Sequence, residues 1–411
     1  MSDKNQKTIR VGVVGCGVVA TAYYLPYLLT RKDAEITAVC DRRLSRAESC
    51  KRIFGAKAAY DDYDRMLRES DVELVLVLTG PGTHVRFTVA AVESGRDVLL
   101  QKPMALDLDG AEAIVAATRR AGRKVLVEPS APSPIAPNYA EIRRLVRAGV
   151  LGKTSWFSCI PSGPTKAGHP ALAGNPYGAG AFYTKDSGGM IFDYAYGPAQ
   201  IAAVLGACKR VTGMATITMP DRYIVPEEHY DKFLEAAETP EEANYWDAAI
   251  AAEKTQPVKM EAPDNAFALF EMADGSLGVY HFGRLFQPTR APATYGGLQV
   301  LGTDGNLIFG AGHMASVYTT RRDLVPETDE EGWFHFDSPP VDMSKYRWPQ
   351  PPPGAFNYYH ASTDHILTCI RDDRDPVLNV EYGRHITEMM YGTSVSAETG
   401  RHYDMTTTID W

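Results

Sequence analysis

Short apolar runs alternate with helix-period segments through the first third of the chain. The runs are Ile9–Val14, Ile36–Val39, Leu74–Leu78, Val98–Leu100 and Val125–Val127. Between them, Val85, Val89 and Val92 fall at i, i+4 and i+7, the spacing of one helical face. Ala111, Ile114, Val115 and Ala117 make the next such face. Continuous apolar strands alternating with helices predict a parallel sheet covered on both sides. Residues 1–130 therefore read as a doubly wound α/β unit.

From Lys153 onward the period changes. Strand-like runs occur at Ser155–Ile160, Val211–Thr218, Ala266–Met272, Leu277–Phe282, Leu298–Leu301, Leu307–Phe309 and Ser316–Thr319. Asp274-Gly275 and Asp304-Gly305 each join two runs, a hairpin signal. Residues 131–411 thus predict an α+β domain built on a large, mostly antiparallel open sheet. A helix over Asn138–Ala148, with Ile142, Leu145 and Val146 on one face, is expected to bridge the two parts. Three stretches lack the strand pattern. Residues 161–188 read as a long active-site loop, residues 338–354 as a Pro-rich irregular segment, and residues 221–260 as an insertion. That insertion, a lid or an interface, carries helical patches at Glu227–Ala237 and Glu241–Ala252. Asp364–Arg371 and Tyr382–Glu398 predict helices near the end.

Composition narrows the class only modestly. The 411 residues are 45% hydrophobic and 23% charged, enough apolar content for two folded domains. A net charge of −9 argues against nucleic acid or an anionic membrane as partner. No apolar run approaches the ~18 residues of a membrane span. Cys16, Cys40, Cys50, Cys159, Cys208 and Cys369 are scattered without metal-ligand spacing, so no metal site is expected and reduced, buried thiols are. The polar start MSDKNQKT lacks a hydrophobic signal core. These features together predict a cytoplasmic protein.

The candidate chemistry lies where predicted strands end. Gly15-Cys16-Gly17-Val18-Val19-Ala20 follows the first strand and opens a helix from Val18 to about Arg31, the context in which a G-x-G-x-x-A turn holds a pyrophosphate. The helix N-terminus would present its amides to the phosphates. Asp41 ends the second strand about 20 residues further on, the position of a ribose-binding acid. It would repel the 2′-phosphate of NADP, whereas Arg42 and Arg43 could bind that phosphate or stack on adenine. NAD is the expected cofactor and NADP the alternative. The third strand runs into Thr79-Gly80-Pro81-Gly82-Thr83-His84, a turn at the sheet's ligand-binding edge, with Thr83 as a helix cap. His84 reads first as structural support and otherwise as part of the cofactor edge. Gln101-Lys102-Pro103 follows the fourth strand and places Lys102 at that edge. Glu128 ends the fifth strand, either as a cofactor-edge residue or as a strand terminator.

Taken in order, these motifs resemble the glucose–fructose oxidoreductase/inositol dehydrogenase (Gfo/Idh/MocA) group over nearly the whole chain. The carriers are VGVVGCGVVA at 11–20, AVCDRR at 38–43, GPGTHV at 80–85, QKP at 101–103, RAGVLGK at 147–153, SGGMIFDYAYG at 187–197 and DNAFALFEMADGSLG at 264–278. The resemblance implies a Rossmann domain paired with an α/β domain whose open sheet mediates homo-oligomers, dimer or tetramer. It implies NAD(P)-dependent oxidation of a small polyhydroxylated substrate. The family's lysine matches Lys102, where it touches substrate hydroxyl and nicotinamide ribose, and the D-x-x-x-H motif begins at Asp193. Two positions depart: Gln101 stands for the usual Glu, and the usual histidine or tyrosine falls on Gly197.

Hydride removal from an alcohol carbon needs a base within hydrogen-bond reach of the hydroxyl. Glycine has no group for this. Tyr196 lies three residues beyond Asp193, and on a helix the two would share a face, with Tyr194 turned away. The expectation is that Lys102 and Tyr196 share the proton transfer and Asp193 orients a substrate hydroxyl. Lys166, His169, Tyr183 and Lys185 are secondary candidates; His169 could be a displaced base, and Tyr183 or Lys185 could bind sugar hydroxyls. Two alternatives to a sugar, glycoside or cyclitol dehydrogenase remain open. One is an NAD-dependent glycoside-cleaving enzyme that oxidises its sugar transiently. The other is a nucleotide-binding regulator with altered catalytic residues.

Overall fold

The structure is a computed structural model describing residues 7–128, 135, 137–160, 184–245, 256–283, 297–309, 315–336 and 358–410. Among these residues the N-terminal part contains a six-stranded parallel sheet. Its strands are β1 (Ile9–Val14), β2 (Ala34–Cys40), β3 (Ala58–Tyr60), β4 (Leu74–Val77), β5 (Asp97–Leu100) and β6 (Val125–Val127). Their order is β3-β2-β1-β4-β5-β6. β1 lies between β2 and β4, so the winding reverses there and leaves a crevice at the carboxyl ends of these strands. β4 and β5 are buried throughout, which is why they are continuous apolar runs.

The flanking helices have local causes. Asp62 and Asp107 cap Tyr63–Glu69 and Leu108–Ala121 by accepting from the amides of Arg65 and Gly110. Gly55 and Gly122 end Leu44–Phe54 and Leu108–Ala121 in the left-handed conformation. Two expectations need correction. The buried face of helix His84–Glu93 is His84, Thr88, Ala91 and Val92, while Val85 and Val89 are half-buried, so the face is turned by one residue. Thr83 does not cap this helix with its side chain; its hydroxyl bonds Thr79 Oγ1 and Gly80 O instead. The helix after the glycine turn starts at Val18, as expected, is π-helical over Ala20–Tyr24, and ends at Leu29, two residues short of the expected Arg31.

The second sheet is nine-stranded and mixed. Its strands are β7 (Thr154–Ile160), β8 (Cys208–Thr216), β11 (Asn265–Met272), β12 (Leu277–Gly283), β13 (Gly297–Gly302), β14 (Gly305–Phe309), β15 (Ala315–Thr319), β16 (Trp333–His335) and β17 (Tyr403–Asp404). The order is β16-β15-β14-β13-β7-β12-β11-β8-β17, antiparallel except at β12 with β7. Both hairpins expected at Asp274-Gly275 and Asp304-Gly305 are present. Helix Val380–Thr399 packs on β8 and also on Leu108–Ala121 and β6, tying the two sheets together. Helix Pro137–Arg147 packs on Tyr196–Leu205, with Ile142 and Leu145 fully buried. The opposite sheet face leaves Trp156, Met214, Phe267, Leu269 and Leu277 exposed, with Phe267 opposite Met214 and Leu277 opposite Trp156.

The 221–260 stretch is not only helical. Its ends pair as an antiparallel ribbon, β9 (Asp221–Ile224) with β10 (Gln256–Lys259), around helix Glu227–Ala236. Glu241–Asn244 forms no helix, which corrects the start of the expected Glu241–Ala252 helix; residues 246–252 lie outside the described residues. The 161–183 part of the expected loop and the 338–354 segment lie outside them too.

Candidate functional site

The glycine turn is held from behind. Gly15 has φ +97, and a Cβ there would lie 2.8 Å from the Leu78 carbonyl, so only glycine fits. A Cβ at Gly17 would meet nothing within 4 Å, so the backbone there faces open space. Gly80, across the crevice, is equally open. The carbonyl of Gly17 accepts from the amides of Ala20 and Thr21 at 3.0 and 3.1 Å, which leaves Val18 and Val19 as the helix's first turn at the mouth. These bare backbone positions fit a pyrophosphate.

Asp41 follows β2 directly and is 8% exposed. Its carboxylate accepts from the amides of Cys16 and Arg43, each at 2.9 Å. It therefore pins the glycine turn to the end of β2. Arg42 is mostly exposed and makes a two-pronged contact with Glu227 of the insertion helix.

At the other end of the crevice, Lys102 projects from the turn after β5. Its Nζ donates to Asp193 Oδ1 at 2.5 Å and to the Asp193 carbonyl at 3.0 Å. Both side chains are about nine-tenths buried. The ammonium stands 5.1 Å from the centroid of the Tyr196 ring, a cation–π distance. The two residues meeting Lys102 do not lie on one helix. Helix Gly189–Asp193 ends at Asp193, Tyr194 breaks the helical dihedrals, and a new helix starts at Tyr196. Tyr196 reaches Lys102 because of that break and not through a shared face; the breaking Tyr194 is buried.

His84 is fully buried, with Nδ1 2.7 Å from the Pro103 carbonyl and Nε2 3.0 Å from that of Thr79. Burial lowers its pKa, against the opposing pull of the two carbonyls. It joins the loop after β4 to the loop carrying Lys102. The turn Lys185–Ser187 packs against Pro81–Thr83, which brings the exposed Lys185 to the same edge. Lys166, His169 and Tyr183 lie outside the described residues. Among the described residues no group of His, Cys, Asp and Glu is arranged to hold a metal ion.

Gly197 has a steric reason. A Cβ there would fall 1.9 Å from Cε2 and 2.1 Å from Cζ of Tyr280. Tyr280, on β12, is fully buried and donates from its hydroxyl to the Tyr194 carbonyl at 3.1 Å. The space beside the glycine is thus filled by a ring from the sheet.

Sequence reasoning missed two arrangements. Gln101 Nε2 donates to Tyr24 Oη at 2.9 Å, Tyr24 donates to Glu128 at 3.0 Å, and Ser362 donates to the same Glu128 oxygen. Glu128 is therefore buried inside a polar chain, and nothing local marks its partners. The second is helix Glu227–Ala236, which docks on the glycine turn through Tyr230, whose hydroxyl donates to the Cys16 carbonyl at 2.8 Å. Its acids at 227 and 231, spaced i, i+4, were visible, but not the arginines they meet.

Residues 9–129 match the oxidoreductase family with an NAD-binding Rossmann fold, GFO_IDH_MocA. The match covers the first sheet and its flanking helices, so this part of the chain is similar to that family's NAD-binding domain. The chain is 32% identical over 168 residues to inositol 2-dehydrogenase 3 of Saccharopolyspora erythraea, covering 40% of this chain and 49% of that protein. It is 31% identical over 145 residues to D-glucoside 3-dehydrogenase of Escherichia coli, covering 35% and 41%. The chain thus spans less than half the length of these curated relatives. An Agrobacterium radiobacter oxidoreductase, solved with NAD+, L-tartaric acid and magnesium, superposes with a TM-score of 0.71 at 17% identity. That likeness covers 97% of this chain and 98% of the other, and it shows a shared fold across both sheets.

Proposed function

We propose that this chain is a Gfo/Idh/MocA-type NAD-dependent oxidoreductase that removes hydride from the carbon bearing a secondary hydroxyl of a sugar, glycoside or cyclitol. Residues 1–130 would hold the dinucleotide, and residues 131–411 the small polyhydroxylated substrate. The observation that carries the reading is the Lys102–Asp193 pair, where the lysine from the cofactor sheet's carboxyl edge meets a carboxylate from the second part of the chain. The relatives' names, inositol and glucoside dehydrogenases, support the substrate class.

Gly15, Cys16, Gly17, Val18 and Val19 would cradle the pyrophosphate, and Asp41 the adenosine ribose. Thr79, Gly80, Gln101 and Lys102 would line the nicotinamide half, with His84 behind them. Bound NAD supplies the hydride acceptor. Lys102 takes the hydroxyl proton when a substrate oxygen enters between its amine and Asp193. Asp193 accepts from a substrate hydroxyl and so fixes which carbon faces the cofactor. The ion pair favours the ammonium form, so Lys102 must first pass its own proton to solvent before its neutral amine can take the substrate's. Tyr196, whose ring lies 5.1 Å from the Lys102 ammonium, is the second proton carrier.

The test is NADH formation over a panel of sugars, glycosides and inositols with wild type, Lys102→Met and Tyr196→Phe. Wild type should oxidise at least one panel member, and Lys102→Met should lose at least about a hundredfold in kcat, the usual size of a general base contribution. Wild type that binds NAD+ but oxidises nothing refutes the dehydrogenase reading. Near-wild-type turnover by Tyr196→Phe removes Tyr196 from the mechanism.

The open sheet face supports a homo-oligomer. Its exposed Trp156, Met214, Phe267, Leu269 and Leu277 form an apolar surface of the kind that a second copy covers.

A further inference from the structure

Helix Glu227–Ala236 comes from the insertion in the second part of the chain, yet it sits on the adenosine end of the first. Its two inward acids engage three arginines that follow β2. Glu227 accepts from Arg42 at 2.9 Å and from Arg43 at 2.7 Å, and lies 3.5 Å from Arg46. Asp231 pairs with Arg43 and Arg46. Glu227 and Asp231 are 16% and 13% exposed and Arg46 is 11% exposed, so the network is largely buried around Arg46, with Arg42 at its solvated edge. Burial opposes the Arg46 charge, but Asp231, Asp41 and Glu227 together hold its pKa above the ordinary value. The same guanidinium thus feels Asp41 and both helix acids.

A 2′-phosphate on the adenosine ribose needs guanidinium groups at this place, because Arg matches phosphate oxygens in a two-pronged geometry. All three arginines beside Asp41 are already paired, and the three carboxylates balance the three positive charges. We infer that Glu227 and Asp231 are specificity-determining residues that exclude NADP by occupying the arginines a 2′-phosphate would bind. This rests on the proposed reading of the glycine turn as a dinucleotide site. Asp41 repels the phosphate directly; the helix removes the attraction that would offset it. Without the two helix acids, Arg42, Arg43 and Arg46 lose the carboxylates they are paired with here.

The helix is held by contacts that do not involve its acids. Tyr230 bonds the Cys16 carbonyl and lies 3.3 Å from Thr21 Oγ1. Arg52 donates to the carbonyls of Ala237 and Glu235, and Leu234 is fully buried. Neutral isosteres should therefore leave the helix docked.

The experiment is titration of the full chain with NAD+ and with NADP+, comparing wild type with Glu227→Gln/Asp231→Asn, with a thermal melt as control for folding. Wild type should prefer NAD+. In the double variant the ratio of the NADP+ to the NAD+ dissociation constant should fall by about tenfold or more, about 1.4 kcal/mol, with the gain shrinking as salt rises. An unchanged ratio with NAD+ binding retained overturns the inference. So does a wild type that prefers NADP+, which would leave dinucleotide binding itself intact. Wild type that binds neither nucleotide overturns the underlying reading instead. If the double variant fails to fold, Glu227→Gln alone, which releases Arg42, should still lower the ratio severalfold, and no change there is equally decisive against the inference.

Discussion

Replacing Gly197 with alanine adds one carbon where Tyr280 already lies. The added Cβ would stand 1.9 Å from Cε2, 2.1 Å from Cζ and 2.5 Å from the hydroxyl oxygen of that ring. Non-bonded carbons rest at about 3.5–4.0 Å, so the ring must withdraw by about 1.5–2 Å. It has little room to do so. Tyr280 is fully buried on β12 between β7 and β11, and packs edge-on to Phe282 with centroids 4.3 Å apart. Overpacking of this kind costs about 1–3 kcal/mol. Pulling the hydroxyl from the Tyr194 carbonyl adds about 0.5–1.5 kcal/mol. Alanine's better helix propensity returns at most about 1 kcal/mol. The expected net destabilisation is about 1–3 kcal/mol, or a fall in melting temperature of about 2–12 °C at the usual 2–4 °C per kcal/mol of a large domain.

The assay is thermal melting followed by fluorescence, run in parallel on Gly197→Ala, Tyr280→Leu and the double variant. Alanine should cost at least about 1 kcal/mol less in the Tyr280→Leu background, because the ring it strikes is gone. A single variant that melts within about 1 °C of wild type refutes the reasoning, as does an equal cost in both backgrounds. The same clash makes a functional statement. Gly197→His, which would install the residue that the family resemblance leads one to expect there, should destabilise the protein more than alanine does and should not raise turnover.

His385 gives a pH prediction. Its Nε2 accepts from the Cys208 amide at 2.9 Å and its Nδ1 bonds Thr407 Oγ1 at 2.8 Å, an arrangement that suits the neutral ring. Burial lowers its pKa to about 4, so between about 6.5 and 4 the unfolded chain binds a proton that the folded chain does not. Stability is fully present above pH 6.5 and falls toward pH 4; a urea midpoint that is lower at pH 5 than at pH 7.5 by the same amount in wild type and His385→Gln would rule out this histidine as the cause. On the sheet face, Leu269 is 60% exposed, and Leu269→Glu should shift an oligomer toward monomer in light scattering without lowering the melting temperature of the monomer; an unchanged mass would place the interface elsewhere.

What was legible in the sequence follows from the range of the forces involved. β1, β4 and β5 were readable because a strand buried on both faces must be apolar throughout. β3 was not, since only Tyr60 of Ala58–Tyr60 is buried and the strand is held by backbone pairing to β2. The hairpin at Asp274-Gly275 was readable because its turn is local: Asp274 accepts from the amide and hydroxyl of Ser276. Meetings of distant side chains leave no such trace. Lys102 and Asp193 were linked only through family resemblance, and the expected helical face joining Asp193 to Tyr196 failed because a break between two helices at Tyr194 brings Tyr196 to Lys102 instead. The match of Gly197 to Tyr280 is a complementarity of volumes that no local pattern records. Likewise the acids of the insertion helix were visible as charges, while their partners near Asp41 belong to another part of the chain.

The two departures from the family pattern bear on whether the site has decayed. Simple loss of a catalytic side chain leaves a void or an orphaned polar atom, because neighbours adjust only partly. Neither is found at Gly197, where Tyr280 fills the space and satisfies its own hydroxyl. At position 101 the amide bonds Tyr24, and through it reaches Glu128, so a carboxylate persists near this edge at the end of β6. Gln101 also donates no charge beside Lys102, whose ammonium bonds Asp193 instead. Both substitutions are thus embedded in matched, buried surroundings. That is the pattern of a rebuilt site and not of a decayed one: beside Gly197, the Lys102 ammonium still bonds Asp193 and stands over the Tyr196 ring.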